Sequence, residues 1–296
     1  MDLVPQLFVN ALITASIYAL VAAGFSLTYS VLKILNFAHG HLMMAGAYLF
    51  YLFSVELQLG VAAALLAAAM GTMVLAAAAL VIFITPFERC SRTLPIITTL
   101  ALATIIESTL SMAFGVDVKS FAGGASVDSI EIGSAFITPF QIALIVSAFS
   151  IISAAAYVLH ATSFGRQVRA VSENFPSAQA LSLKAPRIKL AVFLIGALFS
   201  MFAGIMIGSE THLQPAMGLG FTMKALAAMI LGGLGNLWGA IAGCCVLGFV
   251  ETFGIGLDFG AYSIPAGYKD AVAYLIILIV LLVRPEGLVS FRRRTA

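Results

Sequence analysis

The feature that most constrains this chain is a succession of uncharged apolar runs, each near the length of a bilayer crossing. A hydrocarbon core of about 30 Å takes about 20 helical residues. The runs from Leu7 to Val31 and from Val61 to Thr85 exceed that without one Asp, Glu, Lys or Arg, and Phe140 to Leu159 matches it, equally uncharged. Ala38 to Ser54, Ile96 to Phe114 and Leu190 to Gly208 add three more segments. In lipid the backbone must satisfy its own hydrogen bonds, which leaves helices or closed barrels. The runs are continuous and do not alternate every second residue, so a β-barrel is excluded. Only 9% of residues are charged, against about 25% in a soluble domain. The expected fold class is an all-α polytopic membrane protein, a single transmembrane domain over residues 1–296 with the lipid bilayer as its surroundings.

After Gly208 the pattern loosens. Glu210, His212, Pro215, Gly218 and Gly220 precede a short apolar segment, Met223 to Leu231. Gly232-Gly233-Leu234-Gly235-Asn236 then interrupts before Leu237 to Glu251, and a last segment covers Val272 to Val283. Short segments broken by glycine read as discontinuous helices, tolerated at membrane depth where they are buried or line a cavity. The count is nine segments, or eight if one is re-entrant. Basic residues gather at Arg89 and Arg92, in the loop at about 161–189, and in the tail from Arg284. Placing these inside obeys the positive-inside rule. The acidic loop at about 115–138 then lies outside, the N-terminus outside and the C-terminus inside. No cleavable leader is expected, since the start lacks a basic region and its apolar run continues for a full span.

The basic loop is the most structured of the polar stretches. Within it, Asn174 is a fair N-cap, Pro176 suits a first helical turn, and Ala178, Ala180, Leu181 and Leu183 supply an apolar side. Pro186 is expected to stop this helix, because proline biases the preceding residue out of the helical region. An amphipathic helix on a cytoplasmic loop suggests a docking element for a soluble partner. In the loop at 115–138, Val127, Ile130 and Ile132 support a short hairpin.

Several polar residues stand inside apolar surroundings. Asn36, His39, Gly40 and His41 either line a translocation path on a kinked helix or form a solvated turn at the membrane face. His39 and His41, two apart, point to different helix faces, so no metal site is expected. Glu107 is costly in mid-span unless paired, protonated or hydrated, and serves either a substrate cation or proton, or a bond between helices. Glu210, Lys224 and Glu251 are expected nearer the interfaces, solvated. Gly232, Gly233, Gly235 and Asn236 form either a gate or a close-packing break, with packing the favoured reading. Cys90, Cys244 and Cys245 read as small packing residues, not a disulfide framework. There is no Walker A pattern, G-x-S-x-G, HExxH or Cys/His metal spacing, and no basic patch for nucleic acid. No catalytic residue and no metal are expected.

Three stretches carry a resemblance. One is Ile34-Leu35-Asn36-Phe37-Ala38-His39-Gly40-His41-Leu42-Met43-Met44-Ala45-Gly46-Ala47-Tyr48. A second is Arg169-Ala170-Val171-Ser172-Glu173-Asn174, followed by Ala178 and Leu183. The third runs from Lys224-Ala225 through Ile230-Leu231-Gly232-Gly233-Leu234-Gly235-Asn236 to Trp238-Gly239-Ala240 and Gly243. Together they resemble the permease subunits of branched-chain amino acid ABC importers, in the first of two paralogous forms. The resemblance implies a type II-like importer permease fold and alternating access driven by ATP. It implies four kinds of contact: a paralogous permease, two cytoplasmic ATPase subunits, a periplasmic substrate-binding protein, and the bacterial inner membrane. ATP and Mg would sit on the ATPases, with no cofactor on this chain. Glu173, Asn174, Ala178, Leu181 and Leu183 fall in the segment that couples to the ATPase. Asn36, His39, Gly40 and His41 fall in the first motif, and Gly232, Gly233, Gly235 and Asn236 in the third. Relatives usually carry Glu at the position of His41 and Gly at that of Ser182. Urea, amide and aromatic-acid importers share the motifs. The competing class is a self-sufficient secondary transporter that uses Glu107 or His39 to couple to protons.

Overall fold

The computed structural model describes residues 3–88, 90, 91, 93–121, 130–132 and 134–256, with isolated positions between 271 and 282. Ten α-helices and one small hairpin occupy residues 3–256 of these. In order they are α1 (Leu3–Leu32), α2 (His39–Tyr51), α3 (Val61–Ala78), α4 (Leu94–Phe114), β1 (Ile130–Ile132), β2 (Ala135–Ile137) and α5 (Pro139–Ala161). Then follow α6 (Ser163–Glu173), α7 (Phe175–Ala180), α8 (Ala185–Glu210), α9 (Met217–Gly232) and α10 (Leu237–Gly256). Two helices end in π-type turns: α2 runs on through Leu52–Glu56 and α3 through Ala79–Ile84. All eight apolar segments expected before residue 256 are helical. The expected last span, Val272 to Val283, and the basic tail lie largely or wholly outside the described residues.

Six helices among the described residues are long and apolar enough to cross a membrane: α1, α3 with its π turn, α4, α5, α8 and α10. With 16 residues, α9 reaches about 24 Å, short of a full hydrocarbon core. It pairs with α10, and the two also pack on α1. The expected interruption of helices in this region is therefore present.

The arrangement is concentric. α1 stands at the centre, packed against α5, α8, α9 and α10, while α2 fills the space between α3, α8 and α9. α3, α4 and α5 lie outside and turn large side chains outward, among them Met70, Met112 and Phe149. Their inner faces carry smaller residues at helical spacing, Ala64, Ala68, Thr72 and Ala76 on α3. Lipid is as apolar as leucine, so close van der Waals approach drives association in membranes, and small residues permit it.

The two ends of the bundle differ. At one end, β1 and β2 pair antiparallel, Ile130 opposite Ile137 and Ile132 opposite Ala135. The side chain of Gln6 on α1 bonds both the N–H and the carbonyl of Phe136. The expected hairpin thus forms around Ile130 and Ile132, while Val127 lies outside the described residues. Lys119 and Leu213 exchange backbone hydrogen bonds, which ties the segment after α4 to the one after α8. At the opposite end lie α6 and α7, beside the C-terminal end of α1 and the N-terminal end of α8.

Candidate functional site

The first motif joins α2 to four other helices. Asn36 is buried, and its Oδ1 accepts from the Ala38 N–H at 3.1 Å, shaping the turn into α2. The ring of His39 reaches the Val21 carbonyl of α1 at 3.1 Å and the Ser200 hydroxyl of α8 at 2.7 Å. Phe25 meets it edge-on with centroids 5.1 Å apart. At Gly40 the α2 backbone touches α9: its N–H donates to Thr222 Oγ1 at 2.9 Å, and a Cβ would stand 2.0 Å from the Gly218 carbonyl oxygen. Only glycine allows that approach. His41 points the other way, its Nε2 lying 3.2 Å from Glu107 Oε2 on α4. The two histidines do face different neighbours, as their spacing predicts. Asn36, His39 and His41 are each under 5% exposed, so the motif is not a solvated turn. Glu107 has a partner in mid-span, and its side chain is about a third exposed (36%).

The glycine break resolves into a helical hairpin. A Cβ at Gly232 would fall 1.8 Å from the Gly239 carbonyl oxygen, so the ends of α9 and α10 meet backbone to backbone. Gly233 and Gly235 carry φ of 104° and 82°, the left-handed turn that reverses the chain. Asn236 Oδ1 accepts from the Trp238 N–H at 3.2 Å at the start of α10. Such close approach is what small residues permit between helices in a membrane.

The basic loop is almost wholly helical. Thr162 caps α6 through the Gly165 N–H, and α6 buries Gly165, Val168 and Val171 while Arg166 and Arg169 stay exposed. Asn174 then caps α7, accepting from the Ser177 N–H at 3.0 Å, and Pro176 sits in the first turn. Both features match their sequence signals. The end of α7 does not. The helix stops at Ala180, and Ser182 adopts φ of 62°. Leu183 N–H bonds the Ala178 carbonyl and Ser182 N–H that of Gln179, the Schellman pattern. Pro186 plays no part in stopping α7; it stands in the first turn of α8, where its missing N–H costs nothing. Lys189 on α8 pairs with Glu88, fastening this end to the turn after α3. Ala178 faces inward at 2% exposure, Leu183 packs on the core, Glu173 and Asn174 are exposed, and Leu181 projects outward at 75% exposure.

One cluster runs against expectation. Lys224 of α9 donates to Glu251 Oε1 of α10 at 2.8 Å and to the Tyr18 hydroxyl of α1 at 2.9 Å. The Tyr18 hydroxyl donates in turn to Glu251 Oε1 at 3.1 Å. Glu251 is fully buried and Lys224 nearly so, and neither lies solvated at an interface. Hydropathy alone placed them near segment ends, and their spacing of 27 residues crosses the hairpin turn. A lysine and a glutamate, each on one of two adjacent apolar segments, are the signal that could have found the pair.

The comparisons with known proteins fit this geometry. Residues 7–281 match the family model of the branched-chain amino acid transport system permease component. The chain belongs to that family. This permease is 30% identical to the high-affinity branched-chain amino acid transport system permease protein LivH of Salmonella typhimurium, over 96% of its own length and 94% of that protein. Identity to the same protein of Escherichia coli K12 is also 30%. To BraD of Pseudomonas aeruginosa it is 28%, covering 96% of this permease and 95% of BraD. Among solved structures, PsaBC from Streptococcus pneumoniae in complex with Fab superposes with a TM-score of 0.51, covering 95% of this permease and 93% of that chain. At 14% identity that likeness concerns the fold alone. The permease is a multi-pass membrane subunit of a bacterial ABC transport system, with the type II-like fold and broken helices expected from its sequence.

Proposed function

We propose that the permease pairs with a paralogous permease to form the path of an importer for branched-chain or related amino acids. Two cytoplasmic ATPase subunits dock beneath the pair, one of them on α6 and α7 of this chain, and a periplasmic binding protein delivers substrate at the hairpin end. The chain lies in the bacterial inner membrane, N-terminus outside and C-terminus inside. ATP and Mg act on the ATPases, and this chain contributes translocation, not hydrolysis. Closure of the ATPases moves α7, and the bundle alternates between outward and inward openings. In this reading Asn36, His39 and Gly40 fix the helices that border the path, His41 and Glu107 face it, and the Gly232–Asn236 turn holds the α9–α10 hairpin beside it.

The observation that carries the coupling role is Leu181. A leucine 75% exposed at the end of a helix anchored through Ala178 fits an apolar pocket on a partner. Loss of such an anchor costs roughly 2 kcal/mol or more of binding, over tenfold in affinity. Leu181→Asp and Glu173→Lys should each reduce ATP-driven uptake at least about tenfold, with membrane insertion unchanged and less ATPase retained on purification. Normal uptake in both variants would remove α7 from the coupling role. Uptake by the isolated chain under a proton gradient, with no ATPase present, would instead support the secondary-transporter reading.

A further inference from the structure

A cavity of about 460 Å³ opens beside the Lys224–Tyr18–Glu251 cluster. Its walls are the first half of α1, the last turn of α8 and the start of α9, at the hairpin end of the bundle. The volume lies within the range of small-molecule sites, about 300–1,000 Å³. Ile13, Ile17, Ile207 and Phe221 make the walls apolar, and two charged residues of opposite sign, Glu210 and Lys224, join the lining.

The charges are not equivalent. Glu210 receives a hydrogen bond on Oε1 from Gln141 Nε2 at 2.8 Å, which sets its carboxylate in place and leaves Oε2 as an acceptor. Lys224 is already balanced by Glu251, 2.8 Å away and fully buried. Its ammonium also lies 5.1 Å from the centroid of the Tyr18 ring and 5.9 Å from that of Phe221. The cavity therefore presents one carboxylate with no cationic partner among the described residues, and opposite in charge an ammonium–phenol pair fixed by three hydrogen bonds. A solute matching this lining carries an ammonium for Glu210, a carboxylate for Lys224, and a short hydrocarbon branch for the isoleucines. We propose that this cavity is a substrate site within the permease itself, selective for zwitterionic α-amino acids with aliphatic side chains. The proposal rests on the transport reading above and adds to it: recognition is then not left to the delivery protein alone. Because Lys224 is already paired, the ammonium end of the solute contributes more to binding than its carboxylate end.

Thr14 lines the same cavity and supplies the test. In membranes carrying the complete transport system, Thr14→Cys is exposed to a small thiol reagent. Peptide mass spectrometry reads modification at position 14 separately from the native Cys90, Cys244 and Cys245. Leucine at about ten times its dissociation constant should slow labelling about tenfold. Isoamylamine, which lacks the carboxylate, should protect more weakly, and isovalerate, which lacks the ammonium, not at all. Adding Glu210→Gln, or Ile17→Phe to fill the cavity, should abolish protection by leucine. Leucine uptake is measured in the same cells. Uptake with labelling indifferent to leucine, or protection surviving both variants, overturns the site and leaves the transport reading intact. Protection that both variants abolish, without leucine uptake, upholds the site and sinks the transport reading. Absence of both overturns both.

Discussion

Ser182 shows how one residue can stand at odds with its backbone. Its φ of 62° closes the Schellman turn after α7, a conformation that costs a residue with Cβ about 1 kcal/mol and glycine almost nothing. The resemblance to importer permeases implies glycine at this position, and the turn supplies the reason. Ser182→Gly should stabilise the end of α7 by about 1 kcal/mol, read as slower hydrogen exchange at the Leu183 amide. His41 and Glu107 make a complementary case. The resemblance implies Glu at position 41, and here a histidine stands 3.2 Å from an acid on α4. The departure at His41 and the mid-span acid at Glu107 are thus one feature, an inter-helix pair. Neither residue alone announces it, because 66 positions separate them.

At the scale of elements, the α9–α10 hairpin depends on an absent side chain. Gly232 lies against Gly239 so closely that a methyl group has no room. Overpacking of this kind costs typically 1–3 kcal/mol. Gly232→Ala should lower the thermal midpoint of the purified permease and its folded yield by that order, and serine should do no better. A flexible gate would instead tolerate alanine at Gly232, so the substitution also separates the packing and gating readings. The basic loop teaches a related lesson. Asn174 and Pro176 announced the start of α7 through local chemistry, and the structure agrees. Its end depended on the chain adopting a left-handed turn, which the nearby Pro186 obscured. That proline opens α8 instead.

At the scale of the whole molecule, Tyr18, Lys224 and Glu251 join three helices through charge. Removing one partner of a buried ion pair leaves the other uncompensated and costs about 3–5 kcal/mol, whereas replacing both by apolar residues is often neutral. Lys224→Met should strongly destabilise the detergent-purified permease. Lys224→Met with Glu251→Leu should recover most of that loss, as measured by thermal unfolding. What the sequence by itself determined was the solvent, the helices and their order. Apolar runs of about 20 residues leave the backbone no other hydrogen-bonded form in lipid, and glycine, asparagine and proline mark their breaks locally. The tertiary structure decided which faces meet. It turned His39 toward α1 and α8, His41 toward Glu107, Lys224 toward Glu251, and the Asn36–His41 motif into the interior. In lipid every helix face is apolar, so the hydrophobic pattern that orients helices in water carries little information here. Facing is left to close approach of small residues and to a few long-range polar bonds, both of which exist only once the bundle is assembled.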